Sequence, residues 1–250
     1  MTSRVSFQNE LEILNRDVSS MATLARESVE KAVQCIVDQR PELRAEVERL
    51  DKEIYGLEQV IEKRCLDIIA LHAPVASDLR TISTCLKIIT DLDRIGRYAS
   101  DIVEGYEDLA TANGIAREVD ISHMAGLVVV MVEDAVKAFI GRDPEAAREL
   151  HQRDDEIDCL YNTNFRAVLT YMMEDPRKIS GGIHFILIAR YLERIADHSC
   201  NIGERVVYMV TAERMNPKDR KKTHRLDGSP CGSVSEPSPL SYSSHDLEDK

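Results

Sequence analysis

The sequence predicts an all-α protein of two tandem three-helix bundles followed by a disordered tail, and three observations carry that reading. Apolar residues recur at three- and four-residue intervals along most of the chain, as on the buried face of a helix. Two blocks are written twice: Leu50-Asp51-Lys52-Glu53-Ile54-Tyr55-Gly56-Leu57 aligns with Arg153-Asp154-Asp155-Glu156-Ile157-Asp158-Cys159-Leu160, and Leu92-Asp93-Arg94-Ile95-Gly96-Arg97 aligns with Leu192-Glu193-Arg194-Ile195-Ala196-Asp197. Proline-containing turns fall at matching places in the two copies, as expected of a duplication.

In the first helix Val29, Ala32, Val33 and Ile36 form one amphipathic stripe, and Val132, Ala135, Val136 and Phe139 repeat it in the second copy. The run Leu127-Val128-Val129-Val130-Met131-Val132 has the β-branched composition of a strand, but its counterpart Leu24-Ala25-Arg26-Glu27-Ser28-Val29 is plainly helical. Both copies are therefore read as helix. Each first helix ends at a turn, Asp38-Gln39-Arg40-Pro41 or Gly141-Arg142-Asp143-Pro144, with proline where a helix start tolerates a missing N–H and Asp143 as N-cap.

The second helix carries Leu50, Ile54, Leu57, Ile61, Cys65 and Ile68, the spacing of helices packed side by side, and stops near Ala73-Pro74. Ser77 is expected to cap a third helix, whose stripe of Ile82, Leu86, Ile89, Leu92, Ala99 and Val103 runs towards Asn113-Gly114. The second copy turns at Glu174-Asp175-Pro176, and its last helix is expected to reach about Met215. Short connections make consecutive helices antiparallel. The expected units are residues 1–113, 114–215 and a serine- and proline-rich disordered tail, 216–250.

A net charge of −12 leaves no overall basic surface for phosphate backbones and excludes nucleic acid as a partner. No apolar run reaches the roughly 18 residues of a membrane span and the N-terminus is charged, so a cytoplasmic protein is expected. The six cysteines contain no CxxC pair and read as reduced core residues.

Residues four apart on a helix lie about 40° from each other, so Asp154 with Asp158, and Glu193 with Asp197, each project from one face. Both pairs border the apolar stripe of their helix and lie about 20 residues either side of Pro176, which brings them to one height in an antiparallel hairpin. Like charges so placed repel unless a cation sits between them. Four carboxylates at one level make an all-oxygen site suited to Mg²⁺, Mn²⁺ or iron. Asn201 is a possible extra oxygen ligand, and His198 lies off that face as a hydrogen-bonding edge residue. In the first copy the four positions hold Asp51, Tyr55, Asp93 and Arg97. Asp51 and Asp93 form at most a degenerate site there, with Arg97 expected to bridge one of them in place of metal.

His72-Ala73-Pro74-Val75-Ala76-Ser77-Asp78-Leu79-Arg80, with Leu92-Asp93-Arg94-Ile95-Gly96 and Leu192-Glu193-Arg194-Ile195-Ala196-Asp197-His198, resembles the PhoU family of phosphate-transport regulators across about residues 5–212. The resemblance implies duplicated three-helix bundles with surface metal clusters on E(D)-x-x-x-D motifs, matched here at Asp154/Asp158 and Glu193/Asp197; Tyr55 and Arg97 depart from it. It further implies a homodimeric cytoplasmic negative regulator without catalytic turnover, coupling the ATPase of a phosphate ABC transporter to a phosphate sensor histidine kinase. The rival readings are a metal-dependent phosphohydrolase and a metal-free helical scaffold. A di-iron enzyme needs Glu-x-x-His pairs, which the chain lacks, and Ser180-Gly181-Gly182 has no lysine to make a phosphate loop.

Overall fold

The computed structural model describes residues 2–105 and 121–215, which form six long α-helices and no strand. They are α1 (Thr2–Val37), α2 (Arg44–His72), α3 (Ala76–Glu104), α4 (Ile121–Gly141), α5 (Pro144–Glu174) and α6 (Ile179–Thr211), with short 3₁₀ turns at Pro41–Leu43 and Pro176–Lys178. The β-branched run of the second copy lies inside α4, as its counterpart in α1 requires. Asn113-Gly114 and the tail lie outside the described residues.

Local chemistry accounts for most helix ends. Asp143 caps α5 by accepting from the backbone N–H groups of Glu145 and Ala146 at 3.0 and 3.1 Å. Asp175 does the same for the 3₁₀ turn ahead of α6, accepting from the Arg177 N–H. Two expected boundaries need correction. Helix α3 starts at Ala76, so Ser77 lies within it; extended Val75 is the cap, and its carbonyl accepts from the Asp78 N–H. Helix α6 stops at Thr211, short of Met215, because Ala212 turns left-handed (φ 63°) and donates its N–H to the Tyr208 carbonyl.

Consecutive helices run antiparallel. Across α1 and α2, Lys31 pairs with Glu46 near one end while Arg64 reaches Glu10 and Asp17 near the other. Each three-helix unit closes on its own stripe, fully burying Leu14, Met21 and Val29 on α1, Leu50, Ile54 and Ile61 on α2, and Ile82, Leu92 and Ile102 on α3. Helices α1 and α4, and α3 and α6, then join the units into one continuous core.

The α3–α6 crossing has internal two-fold symmetry. His198 Nδ1 lies 2.8 Å from Asp91 Oδ1, and the Tyr98 ring stacks on Tyr191 at 5.9 Å. Asp91 and Tyr191 are equivalent positions in the duplication, as are Tyr98 and His198, so each contact is the other's image. The crossing centres near Ile95 and Ile195, both fully buried.

Cys35, Cys65, Cys85 and Cys200 are buried and outside any disulfide, as expected; burial pushes the Cys65 and Cys85 thiols up to about 12, out of reach of ordinary thiolate chemistry. Cys159 departs from the expectation. It stands half-buried at a helix margin and is disulfide-bonded. No helix among the described residues is long and apolar enough to cross a membrane.

Removing the α5 cap tests this account of the second hairpin. Asp143→Ala is expected to lower unfolding free energy by about 1 kcal/mol, seen in urea titration as a lower midpoint with an unchanged slope.

Candidate metal centre

The apolar stripes of α5 and α6 bring their flanking carboxylates into the seam between them. Asp154, Asp158 and Glu193 are buried, at 5, 2 and 2 % exposure, and Asp197 keeps 15 % of its side chain in contact with solvent. Such burial is rare for carboxylates without positive partners, because desolvation disfavours the charged form.

Glu193 shows the cost most clearly. Its Oε1 accepts from Arg190 Nη1 at 2.8 Å, whereas Oε2 accepts no hydrogen bond and has Arg194 Nε only at 3.9 Å. Burial raises its pKa, Asp197 raises it further, Arg190 and Arg194 oppose, and Asp158 adds to the rise. Thus Asp158 on α5 and Asp197 on α6 are both within electrostatic reach of Glu193. Asp197 is itself bridged to Arg194 along its own helix at 3.1 Å. Asp154 faces a different set: its carboxylate and the ligand atoms of His151 and Cys200 all lie within 4.8 Å of one another. Of the four carboxylates read from the sequence, Asp154 alone belongs to that group.

Among the described residues, the ligand atoms that lie within 4.8 Å of one another are those of His151, Asp154 and Cys200, and the four carboxylates do not form such a group. A buried oxygen without a hydrogen bond, on a carboxylate whose charge is opposed by two others, is the arrangement a hard divalent or ferric ion relieves. Asp158, Glu193 and Asp197 are the oxygens that would hold it.

The first copy handles the same problem with a side chain. Asp51 is 6 % exposed, and Arg97 Nη1 donates to its Oδ2 at 3.0 Å, the bridge expected from the sequence. Asp93 lies beside the pair: burial raises its pKa, Arg97 lowers it and Asp51 raises it. Tyr55, where the second copy has Asp158, turns half into solvent. Arg97 thus supplies the positive charge beside both Asp51 and Asp93.

His198 is a hydrogen-bonding edge residue, bound to Asp91 across the α3–α6 seam. Asn201 joins it there, donating from Nδ2 to Asp91 Oδ1 at 3.3 Å, so its amide serves the seam between repeats. His151 and Cys200 belong to no carboxylate pair four apart, so the acidic pattern does not mark them. The available signal was that His151 precedes Asp154 by three residues and Cys200 follows Asp197 by three, each about one turn away.

Two outcomes follow from these charges. Arg97→Ala leaves buried Asp51 without its cation and is expected to cost about 2 kcal/mol, measured by urea unfolding. Because burial raises the Glu193 pKa above its ordinary 4.5, the folded chain retains a proton there that the unfolded chain has released. Stability of the metal-free protein therefore falls as pH rises from 4.5 through the folded value, and Glu193→Gln is expected to flatten that decline in urea midpoints taken from pH 4.5 to neutrality.

Comparison with known proteins places this geometry in context. A family model of the PhoU domain matches the chain twice, over residues 18–105 and 121–206. A phosphate-specific transport system accessory protein PhoU homolog of Deinococcus radiodurans is 37% identical over 202 residues, covering 81% of this chain and 94% of the relative. One from Aquifex aeolicus is 40% identical over 204 residues, covering 82% and 92%. Among solved structures, PhoU from Pseudomonas aeruginosa superposes with a TM-score of 0.79 at 36% identity over 83% of this chain and all (100%) of that one. The phosphate transport system regulatory protein PhoU from Streptococcus pneumoniae gives 0.73 at 26% identity, over 84% and 99%. These relatives are named as accessory and regulatory proteins. On a doubled domain match and on relatives aligned over most of both chains, this protein belongs to the PhoU family.

Proposed function

We propose that the chain is a cytoplasmic, homodimeric regulator of phosphate uptake and phosphate-starvation signalling, coupling the ATPase of a phosphate ABC transporter to a sensor histidine kinase. The observation that carries this reading is the alignment, over nearly their whole length, with relatives named as accessory proteins of the phosphate-specific transport system. The helical architecture supports it: helix faces are the surfaces such a protein has to offer. Both hairpin tips expose apolar side chains, Leu71 and Val75 between α2 and α3, and Met173 and Ile179 between α5 and α6. Exposed apolar groups of this kind provide area for a protein partner.

The same reading gives the second repeat a carboxylate-held iron, manganese or magnesium ion on Asp158, Glu193 and Asp197, with Asp154 at its margin, and leaves Asp51 and Asp93 of the first repeat without one. Its support is the burial of these carboxylates, the raised pKa of Glu193, and the presence of Arg97 in the first copy only. The ion would lock α5 to α6 and so stiffen the tip that meets a partner.

Elemental analysis of protein purified without a chelating tag checks the metal. Metal is expected in the parent and in Asp51→Ala, and its loss in Asp158→Ala and Glu193→Ala; equal loss in all three variants contradicts the asymmetry. Affinity capture from phosphate-replete cells checks the partner. The transporter ATPase is expected to co-purify with the parent and to be lost from a Leu71→Asp/Val75→Asp variant with unchanged helical circular dichroism.

A further inference from the structure

We infer that the α5–α6 seam holds a metal site of a different class, a zinc site formed by His151, Asp154 and Cys200. The ligand atoms of these three lie within 4.8 Å of one another, and His151 Nε2 is 3.6 Å from Glu204 Oε1. His151 and Asp154 are three apart on α5, Cys200 and Glu204 four apart on α6, so each pair shares a helix face and the antiparallel hairpin sets the two faces opposite each other. An imidazole, a thiolate and a carboxylate form a mixed three-ligand set, with a fourth position left for water, that suits zinc, which bonds nitrogen and oxygen at about 2.0–2.2 Å and sulfur at about 2.3 Å in a tetrahedron. Donor atoms in such a tetrahedron stand about 3.4–3.8 Å apart, so small side-chain rotations close the present spacing onto an ion.

The backbone is shaped for that approach. A Cβ on Gly203 would lie 2.7 Å from Leu150 Cδ1 and 2.8 Å from the Ala147 carbonyl oxygen, so glycine lets the two helices press together beside Cys200 and Glu204. Short side chains such as Asp154 and Cys200 can meet only across a gap this narrow. Asp154 and Cys200 are each 5 % exposed, and the side chains of His151 and Glu204 are 16 and 13 % exposed, so the seam is largely closed to water.

The first repeat lacks the set. Its equivalent positions hold Glu48, Asp51, Ser100 and Glu104, without imidazole or thiol, and there Glu48 is bridged to Arg44 and Asp51 to Arg97. The zinc site therefore belongs to the second repeat alone. It shares only Asp154 with the carboxylate centre proposed above and does not rest on it. Binding is a ligand exchange without redox change: the Cys200 thiol releases its proton to solvent as the sulfur–metal bond forms.

Cobalt titration of the reduced, metal-free full-length chain tests the site, with zinc as competitor. One equivalent of Co²⁺ is expected to give the intense visible bands of tetrahedral coordination together with a near-ultraviolet thiolate-to-cobalt band, both erased by zinc. Cys200→Ser is expected to abolish the thiolate band. Cys200→Ser and His151→Gln should each weaken zinc by more than about 100-fold, while Cys65→Ser stays within about 3-fold of the parent. Cobalt bound without a thiolate band overturns the proposal, as does zinc affinity unchanged in His151→Gln, a less buried position that keeps the test available should Cys200→Ser fail to fold.

Discussion

Carboxylates buried between helices need a positive charge close at hand, and this requirement organises the structure around its two acidic seams. A carboxylate moved out of water costs several kcal/mol unless it is paired, on the order of the whole stability of a domain. The first repeat meets the requirement from its own sequence, with Arg97 against Asp51. The second has Asp197 at the position of Arg97, so the same seam carries more negative charge and less compensation. Arg190 and Arg194 cover part of it from the helix surface, and Glu193 keeps a raised pKa despite both. One duplicated scaffold thus presents one face neutralised by Arg97 and one on which Glu193 keeps a raised pKa beside Arg190 and Arg194.

The symmetry of the fold places those faces with respect to each other. Around the α3–α6 crossing, Tyr98, Tyr191, His198, Asp91 and Asn201 tie the repeats together, while Asp93, Arg97, Glu193 and Asp197 lie on the same stretches of the same two helices. An ion bound in the second seam would act on α6, the helix that also packs against the first repeat. Changes at one hairpin therefore have a mechanical route to the other through a packed core, which has low compressibility and transmits strain.

Much of this was legible in the sequence because helical periodicity, duplication and proline turns agreed with one another. The Val-rich run of α4, ambiguous alone, was settled by its partner in α1, and Asp143 caps α5 as its position before Pro144 implied. The charge swap at Arg97 foretold the bridge to Asp51. What escaped the sequence depended on tertiary detail. Ser77 is a good capping residue by type, but the chain leaves Pro74 so that Val75 takes the cap position. Asn201 is a possible oxygen ligand by its helical phase, and its amide nitrogen donates to Asp91 across the α3–α6 crossing, a contact that the sequence does not show. His151 and Cys200 look like an edge histidine and a core cysteine until the close approach at Gly203 brings them to Asp154.

If a cation binds in the second seam because that seam lacks the arginine of the first, Asp197→Arg supplies the missing charge and tests the proposed site most directly. Thermal melting of the metal-free and Mn²⁺-supplemented protein would be compared for parent and variant. The account predicts that Asp197→Arg melts higher than the metal-free parent and gains nothing further from Mn²⁺, which stabilises the parent by binding its folded state. A variant that melts lower than the parent, or that still gains the full Mn²⁺ shift, would contradict it.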